Sequence, residues 1–384
     1  MFSAMSAESP MGPATLGAKP AAIQPTAMVS DVISLYRPAK AGGFRESGHH
    51  GQAGTSTTIL SLDFDDGGNL LLASESDHSM QIYNVREGKH QKTLLSQKYG
   101  VGHAMFSHAP GCIIHSSTKL NNTIRYLSTH DNSYLRYFEG HVKNVTCLAL
   151  HPGQDNFISC SEDNTLRIWD AGSKNCSGKL NLNGAYLAAW DPSGNVFAVA
   201  SPTAQAILLY DFRNFDKEPF STFDILPYNS HELLQGSNSR WNKLEFSNNG
   251  KSLLLGTSGK SHMLLDAFDG SLRAYLCRNQ NSVPRLSAGD HNPEGIDPHS
   301  SEFLYPSTGD ACFTPDGRYV VSGSKSQNVY IWDTMAPNHE NILTPTHELE
   351  FKADSAVLAF NPRLHFFATA DKEIIFWVPD QSLM

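Results

Sequence analysis

No stretch of the sequence approaches eighteen uninterrupted apolar residues, which argues against a membrane-spanning helix. There is no run of Lys or Arg either. With 38 acidic against 29 basic residues and a formal charge of −9, the chain lacks the basic stripe that direct nucleic-acid binding requires. Its six cysteines (Cys112, Cys147, Cys160, Cys176, Cys277, Cys312) lie far apart and form no CxxC pair. The start MFSAMSAESPMGPATL lacks the basic-then-apolar order of a signal peptide. Reduced thiols in a cytosolic or nuclear protein are therefore expected, and the sequons at Asn121, Asn144 and Asn175 are then coincidental.

Charged residues are scarce at 17%, whereas 29 Gly, 20 Pro and 10% aromatics point to many short strands joined by tight turns. A length of 384 residues exceeds one ordinary compact domain, yet repeat folds reach it as a single unit. Residues 1–30, rich in Ala, Pro, Met and Ser without periodicity, are expected to form a disordered tail.

Residues 31–384 repeat themselves. Seven copies begin at Leu62, Ala104, Leu148, Ala188, Leu244, Ala311 and Leu358. In each, an apolar run leads into a turn of Asp, Asn, Pro and Gly, such as Asp65 to Gly68 or Asp191 to Gly194. A second apolar strand follows and shrinks to small residues (Ala73-Ser74, Ser322-Gly323, Ala368-Thr369), which are expected to line a central channel. A third strand ends on an aromatic residue followed by Asp or a substitute, as in Trp169-Asp170, Tyr210-Asp211 and Trp332-Asp333. Measured between the last large residues of the first strands, the copies are 42, 44, 40, 56, 67 and 47 residues apart. A period of about 40 to 45 is that of WD40 repeats, interrupted here by insertions at roughly Pro227 to Arg240 and Asn279 to Thr308. The fold class is therefore all-β, a seven-bladed WD40 β-propeller. Its last copy has only three strands, and Ile33 to Arg37 is the expected fourth, closing the ring.

The third copy carries His141, Ser159, Asp163 and Trp169 at the positions where WD40 proteins place a buried hydrogen-bonded tetrad. A Ser, His, Asp triad is the catalytic alternative, but the repeat context accounts for every member. Gly259-Lys260-Ser261 lacks the leading Gly of a phosphate loop, Leu254 standing there, and His231-Glu232 has Gln235 where a zinc-protease helix needs His. No cofactor or metal is expected. Asn122 to Phe138 is denser in Arg and Tyr than any stretch of equal length, and Arg125, Tyr134 and Arg136 are the expected exposed protein-binding residues.

The segments DFDDGGNLL from Asp63, KYGV from Lys98, NNTIRYLSTHDNSYLRYFEGH from Asn121, YDFRNFDKEPFSTF from Tyr210 and LDAFDG from Leu265 resemble one WD40 branch. That branch is the WD-repeat subunit shared by COMPASS-type histone H3 methyltransferase complexes and, in fungi, the cleavage and polyadenylation factor. The resemblance spans nearly everything after residue 31. It implies a nuclear, non-catalytic scaffold that joins methyltransferase subunits, contacts RNA polymerase II indirectly or through its phosphorylated tail, and acts in transcription termination with phosphatase-containing 3′-end machinery. The long tail, the insertion at His49 to Ser56 and the two later insertions depart from the pattern. Two other function classes remain. Tyr210-Asp211-Phe212-Arg213 approaches the box by which cullin-ligase substrate receptors meet their adaptor, and an enzymatic propeller would need acid, base or metal groups in the channel.

Overall fold

The computed structural model describes residues 28–40, 57–184, 187–229, 241–278, 311–324, 328–338, 340–350, 355 and 357–380. Residues 1–27 of the expected tail, the insertion at His49 to Ser56, all of Asn279 to Thr308 and most of Pro227 to Arg240 lie outside them. Among the described residues seven sheets follow in chain order, antiparallel except where Ile342–Leu343 adds a parallel fifth strand beside Leu272–Cys277. Their innermost strands are Ile59–Phe64, Ala104–Phe106, Val145–Leu150, Leu187–Trp190, Trp241–Phe246, Ala311–Phe313 and Val357–Phe360. Each touches the next, and the last touches the first, so the blades form a closed seven-bladed propeller.

The ring closes through the N-terminus. Tyr36–Lys40 pairs antiparallel with Ile374–Pro379, running from Tyr36 opposite Pro379 to Lys40 opposite Ile375. The expected closing strand at Ile33 to Arg37 is thus displaced toward the C-terminus. Val29–Val32 is instead a single helical turn, its Asp31 carboxylate accepting from the Met28 N–H at 3.0 Å. Val29, Val32 and Ile33 follow the i, i+3, i+4 spacing of one helical face, and all three are buried with Tyr36 against blades six and seven. Burying each such side chain is worth about 1.5 to 3 kcal/mol, which is why this segment is ordered.

The channel lining also differs from expectation. The first strand of each copy is innermost, and the small residues of the second strand serve blade-to-blade packing. Ser74 Oγ donates to the Gly102 carbonyl of blade two at 2.7 Å, and a Cβ at Gly323 would collide with Ser355. Second strands are covered on both faces, so they read as continuous apolar runs; Leu71, Leu72 and Ala73 are fully buried.

The turns after the first strands hold neighbouring blades together. Gly68 has φ +65, the left-handed region that disfavours side chains, and a Cβ there would strike Asn361. Asn361 Nδ2 donates to the Gly68 carbonyl at 2.8 Å, tying blade seven to blade one. His151 Nε2 meets the Gly194 carbonyl at 3.0 Å between blades three and four, and Asn248 Nδ2 donates to the Pro315 carbonyl at 2.8 Å between blades five and six.

Deleting residues 31–38 exposes the edge of Ile374–Pro379, and the expected product is aggregated or insoluble protein. Tyr36→Ala should cost about 3 to 5 kcal/mol in urea unfolding through the cavity it leaves. A soluble monomer with native melting after the deletion contradicts closure by this strand.

Candidate functional site

The four residues expected to form a tetrad in blade three are joined by hydrogen bonds. Trp169 Nε1 donates to Ser159 Oγ at 2.8 Å; Ser159 Oγ and His141 Nε2 are 2.7 Å apart; His141 Nδ1 and Asp163 Oδ2 are 3.1 Å apart. Because a carboxylate only accepts, His141 donates through Nδ1 and its Nε2 accepts the Ser159 proton. Thr165 Oγ1 adds a 2.6 Å bond to Asp163 Oδ1. Burial drives His141 below its ordinary range, with Asp163 opposing. Burial alone would raise Asp163, but Thr165, the Val142 N–H and His141 together hold it below the usual carboxylate range. Asp, His and Ser stand in the order of a hydrolase triad, yet Ser159 is fully buried and its oxygen already accepts from Trp169. The arrangement staples the second and third strands of the blade, the turn between them and the entry loop.

Contrary to the expectation of a channel lined by small residues, the innermost strands do bring acid and base groups there. Each is tied to a neighbour. Asp63 Oδ2 accepts from the Phe106 N–H at 2.7 Å, Glu245 Oε1 from the Phe313 N–H at 3.1 Å, and Lys243 Nζ lies 3.3 Å from Glu245 Oε2. Burial pushes Asp63 up to about 7, with the Phe106 N–H and Lys243 pulling the other way. At one mouth of the channel a depression of about 750 Å³ is edged by Asp65, Asp66, His108 and Arg363. These too are engaged within the fold: Asp65 accepts from the Leu70 N–H at 2.7 Å, Asp66 meets His108 at 2.7 Å, and Arg363 Nε donates to the Asp66 carbonyl at 3.2 Å. The Tyr210-Asp211-Phe212-Arg213 box forms a short 3-10 turn capped by Asp211, with Phe212 edge-on to Trp190.

The Arg and Tyr segment of blade two is organised differently from its alternation. Ile124–Ser128 pairs with Ser133–Phe138 through a bulge that leaves Leu135 without a partner. The bulge resets the side-chain parity, so Tyr134 and Tyr137 share the face of Arg125. Arg125 is only 3% exposed, which corrects its expected exposure. Its guanidinium stacks 3.6 Å from the Tyr99 ring centroid and lies 5.0 Å from Tyr137 and 5.7 Å from Tyr134. Tyr134 is half-buried, edge-on to Tyr99, its hydroxyl 3.2 Å from Ser96 Oγ. Arg136 is also half-buried, because its Nη1 donates to the Ala171 carbonyl and so braces blade two on blade three. The exposed members are ones the sequence pattern did not single out: Tyr137 at 42%, Leu135 at 49% and Leu120 at 76%. Tyr99 arrives from the blade connection through the KYGV segment, where Gly100 takes φ +73 and has no room for a Cβ beside Thr118. His115 sits 6.0 Å from the Tyr134 ring and is pushed down to about 4 by burial, against the Ser116 carbonyl and with Arg125 adding to the effect.

Trp169→Ala should cost about 3 to 5 kcal/mol in chemical unfolding; a loss under about 1 kcal/mol contradicts its buried role. His115 gives a pH signature. Unfolded it titrates near its ordinary 6.5 and folded near 4, so its contribution is complete above 6.5 and is lost as pH falls toward 4. His115→Asn should flatten the fall of melting temperature across that window, and an unaltered slope contradicts a neutral buried imidazole.

The WD domain, G-beta repeat model matches residues 45–84, 132–170 and 308–333. The chain is 36% identical over 353 residues to WD repeat-containing protein 82 of Drosophila melanogaster, covering 92% of this chain and 97% of that protein. It is 36% identical to COMPASS component SWD2 of Saccharomyces cerevisiae over 84% of this chain and 91% of that one. Set1 complex component swd2 of Schizosaccharomyces pombe is 32% identical, over 83% and 92% respectively. The chain thus belongs to the WD40 propeller family of WD repeat-containing protein 82 and the COMPASS component SWD2.

Proposed function

We propose that this chain is a non-catalytic docking subunit of a nuclear COMPASS-type histone H3 methyltransferase complex. The observation that carries the reading is likeness along nearly the whole propeller to relatives named for the COMPASS and Set1 complexes. The internal engagement of Asp63, Glu245 and Ser159 supports a scaffold over an enzyme, since these groups are spent on holding the fold. Loops and outer strands displayed by a rigid ring suit partner capture. The second role, in 3′-end processing and termination with cleavage, polyadenylation and phosphatase subunits, rests on the blade-two and blade-four segments that resemble the shared subunit. Polymerase contact, indirect or through its phosphorylated tail, belongs to the same reading. With a formal charge of −9, contact with nucleic acid falls to partners.

The test is affinity purification of the tagged full chain from nuclear extract at moderate salt, with mass spectrometry of what is retained. Methyltransferase and 3′-end-processing subunits are expected. A cullin and its adaptor alone would overturn the proposal and favour the Tyr210 to Arg213 box as a ligase contact.

A further inference from the structure

Arg125 is a permanent cation almost wholly removed from water. Its Nε donates to Ser117 Oγ at 2.8 Å and its Nη2 to Asn121 Oδ1 at 3.0 Å. Both acceptors are neutral, and they use two of the five donors of the guanidinium fork. Among the described residues no carboxylate pairs with it. The contrast lies within the same chain: Arg273 and Arg318, both far more exposed, each hold a carboxylate, at 2.6 Å from Asp266 and 2.7 Å from Asp333. A buried charge is ordinarily matched by an opposite one, and stacking on Tyr99 offsets only part of the lost hydration.

The surroundings lie at the surface. Tyr137 covers the guanidinium and is itself 42% exposed, so rotation of that one side chain uncovers the fork. Leu120, beside the acceptor Asn121, stands in the left-handed region at φ +64 and projects into solvent at 76% exposure. Lys98 lies 5.1 Å from the Tyr99 ring and adds positive charge at the margin. Exposed Leu120 adjoins Asn121, which binds the guanidinium, and exposed Leu135 adjoins Tyr134, one of the rings around it, a pattern complementary to an acidic side chain bordered by apolar ones.

We propose that Arg125 anchors a peptide-docking pocket on blade two, which receives the carboxylate of an Asp or Glu in an extended segment of a partner protein. Apolar neighbours of that residue cover Leu120 and Leu135, and the carboxylate takes the free edge of the fork as a charge-assisted, bidentate partner. The proposal rests on the docking reading above and specifies the chemistry of one contact.

A random heptapeptide display library, selected on the immobilised full chain, gives a consensus peptide whose affinity is then measured by calorimetry. The expected consensus carries Asp or Glu beside Leu, Ile or Phe. Arg125→Gln, and separately the peptide's acid to amide, should each weaken binding on the order of tenfold or more, with little further loss when combined. Arg125→Lys keeps the charge but not the fork and should also bind weakly, while Tyr137→Ser, at an exposed position, supplies a variant expected to fold normally and, with the cover removed, to bind at least as tightly as the unaltered chain. Melting curves verify that each variant is folded. A consensus without an acid, or affinities unchanged within about twofold for Arg125→Lys and for the amide peptide, overturns the proposal. Binding acquired only on replacing the acid by phosphoserine overturns it as well and assigns the pocket to phosphopeptides. The library contains no methyltransferase, so failure here leaves the purification result standing, and failure of the purification leaves the pocket standing.

Discussion

Everything in this molecule depends on one antiparallel pairing between segments at opposite ends of the chain, Tyr36–Lys40 on Ile374–Pro379. Until it forms, blade seven has an open edge, and Tyr36 and Ile33 lack the apolar floor supplied by Phe367 and Trp377. The seven innermost strands touch in a ring, so blades one and seven are held on both sides only when the ring is complete. Such closure removes the sheet edge that would otherwise recruit other chains.

Closure also explains how polar groups are used. Asp63, Glu245, Asn361, His151 and Asn248 each reach from one blade to a backbone group of the next. Of these five, the Asn361 bond to Gly68, 293 residues apart, exists only in the closed ring, whereas the other four join blades consecutive in the chain, 43 to 68 residues apart. The tetrad of His141, Ser159, Asp163 and Trp169 performs the same task within a blade. A scaffold assembled this way is rigid, and the side chains it leaves outward on blade two, Leu120, Leu135 and Tyr137, stand on fixed ground.

The repeat, the first-strand turns and the tetrad were legible because strand alternation and turn chemistry are local. The closing segment was only half legible. Val29, Val32 and Ile33 sit next to a stretch without periodicity, and a single helical turn is too short to stand out from composition. Blade two was misread for two physical reasons. The bulge at Leu135 inverts the parity of the outer strand, and the ring that buries Arg125 belongs to Tyr99, in the preceding blade connection. Density of Arg and Tyr correctly marked the region, while exposure depended on contacts that sequence separation conceals. The small second-strand residues were assigned to the channel when their role is to admit the neighbouring blade.

Docking in support of a histone H3 methyltransferase is the role we propose for this propeller. Its most direct test is quantitative mass spectrometry of histone H3 tail methylation in cells acutely depleted of the chain and then rescued with it. Methylation should fall on depletion and return on rescue, whereas methylation that persists undiminished through depletion is incompatible with the docking role.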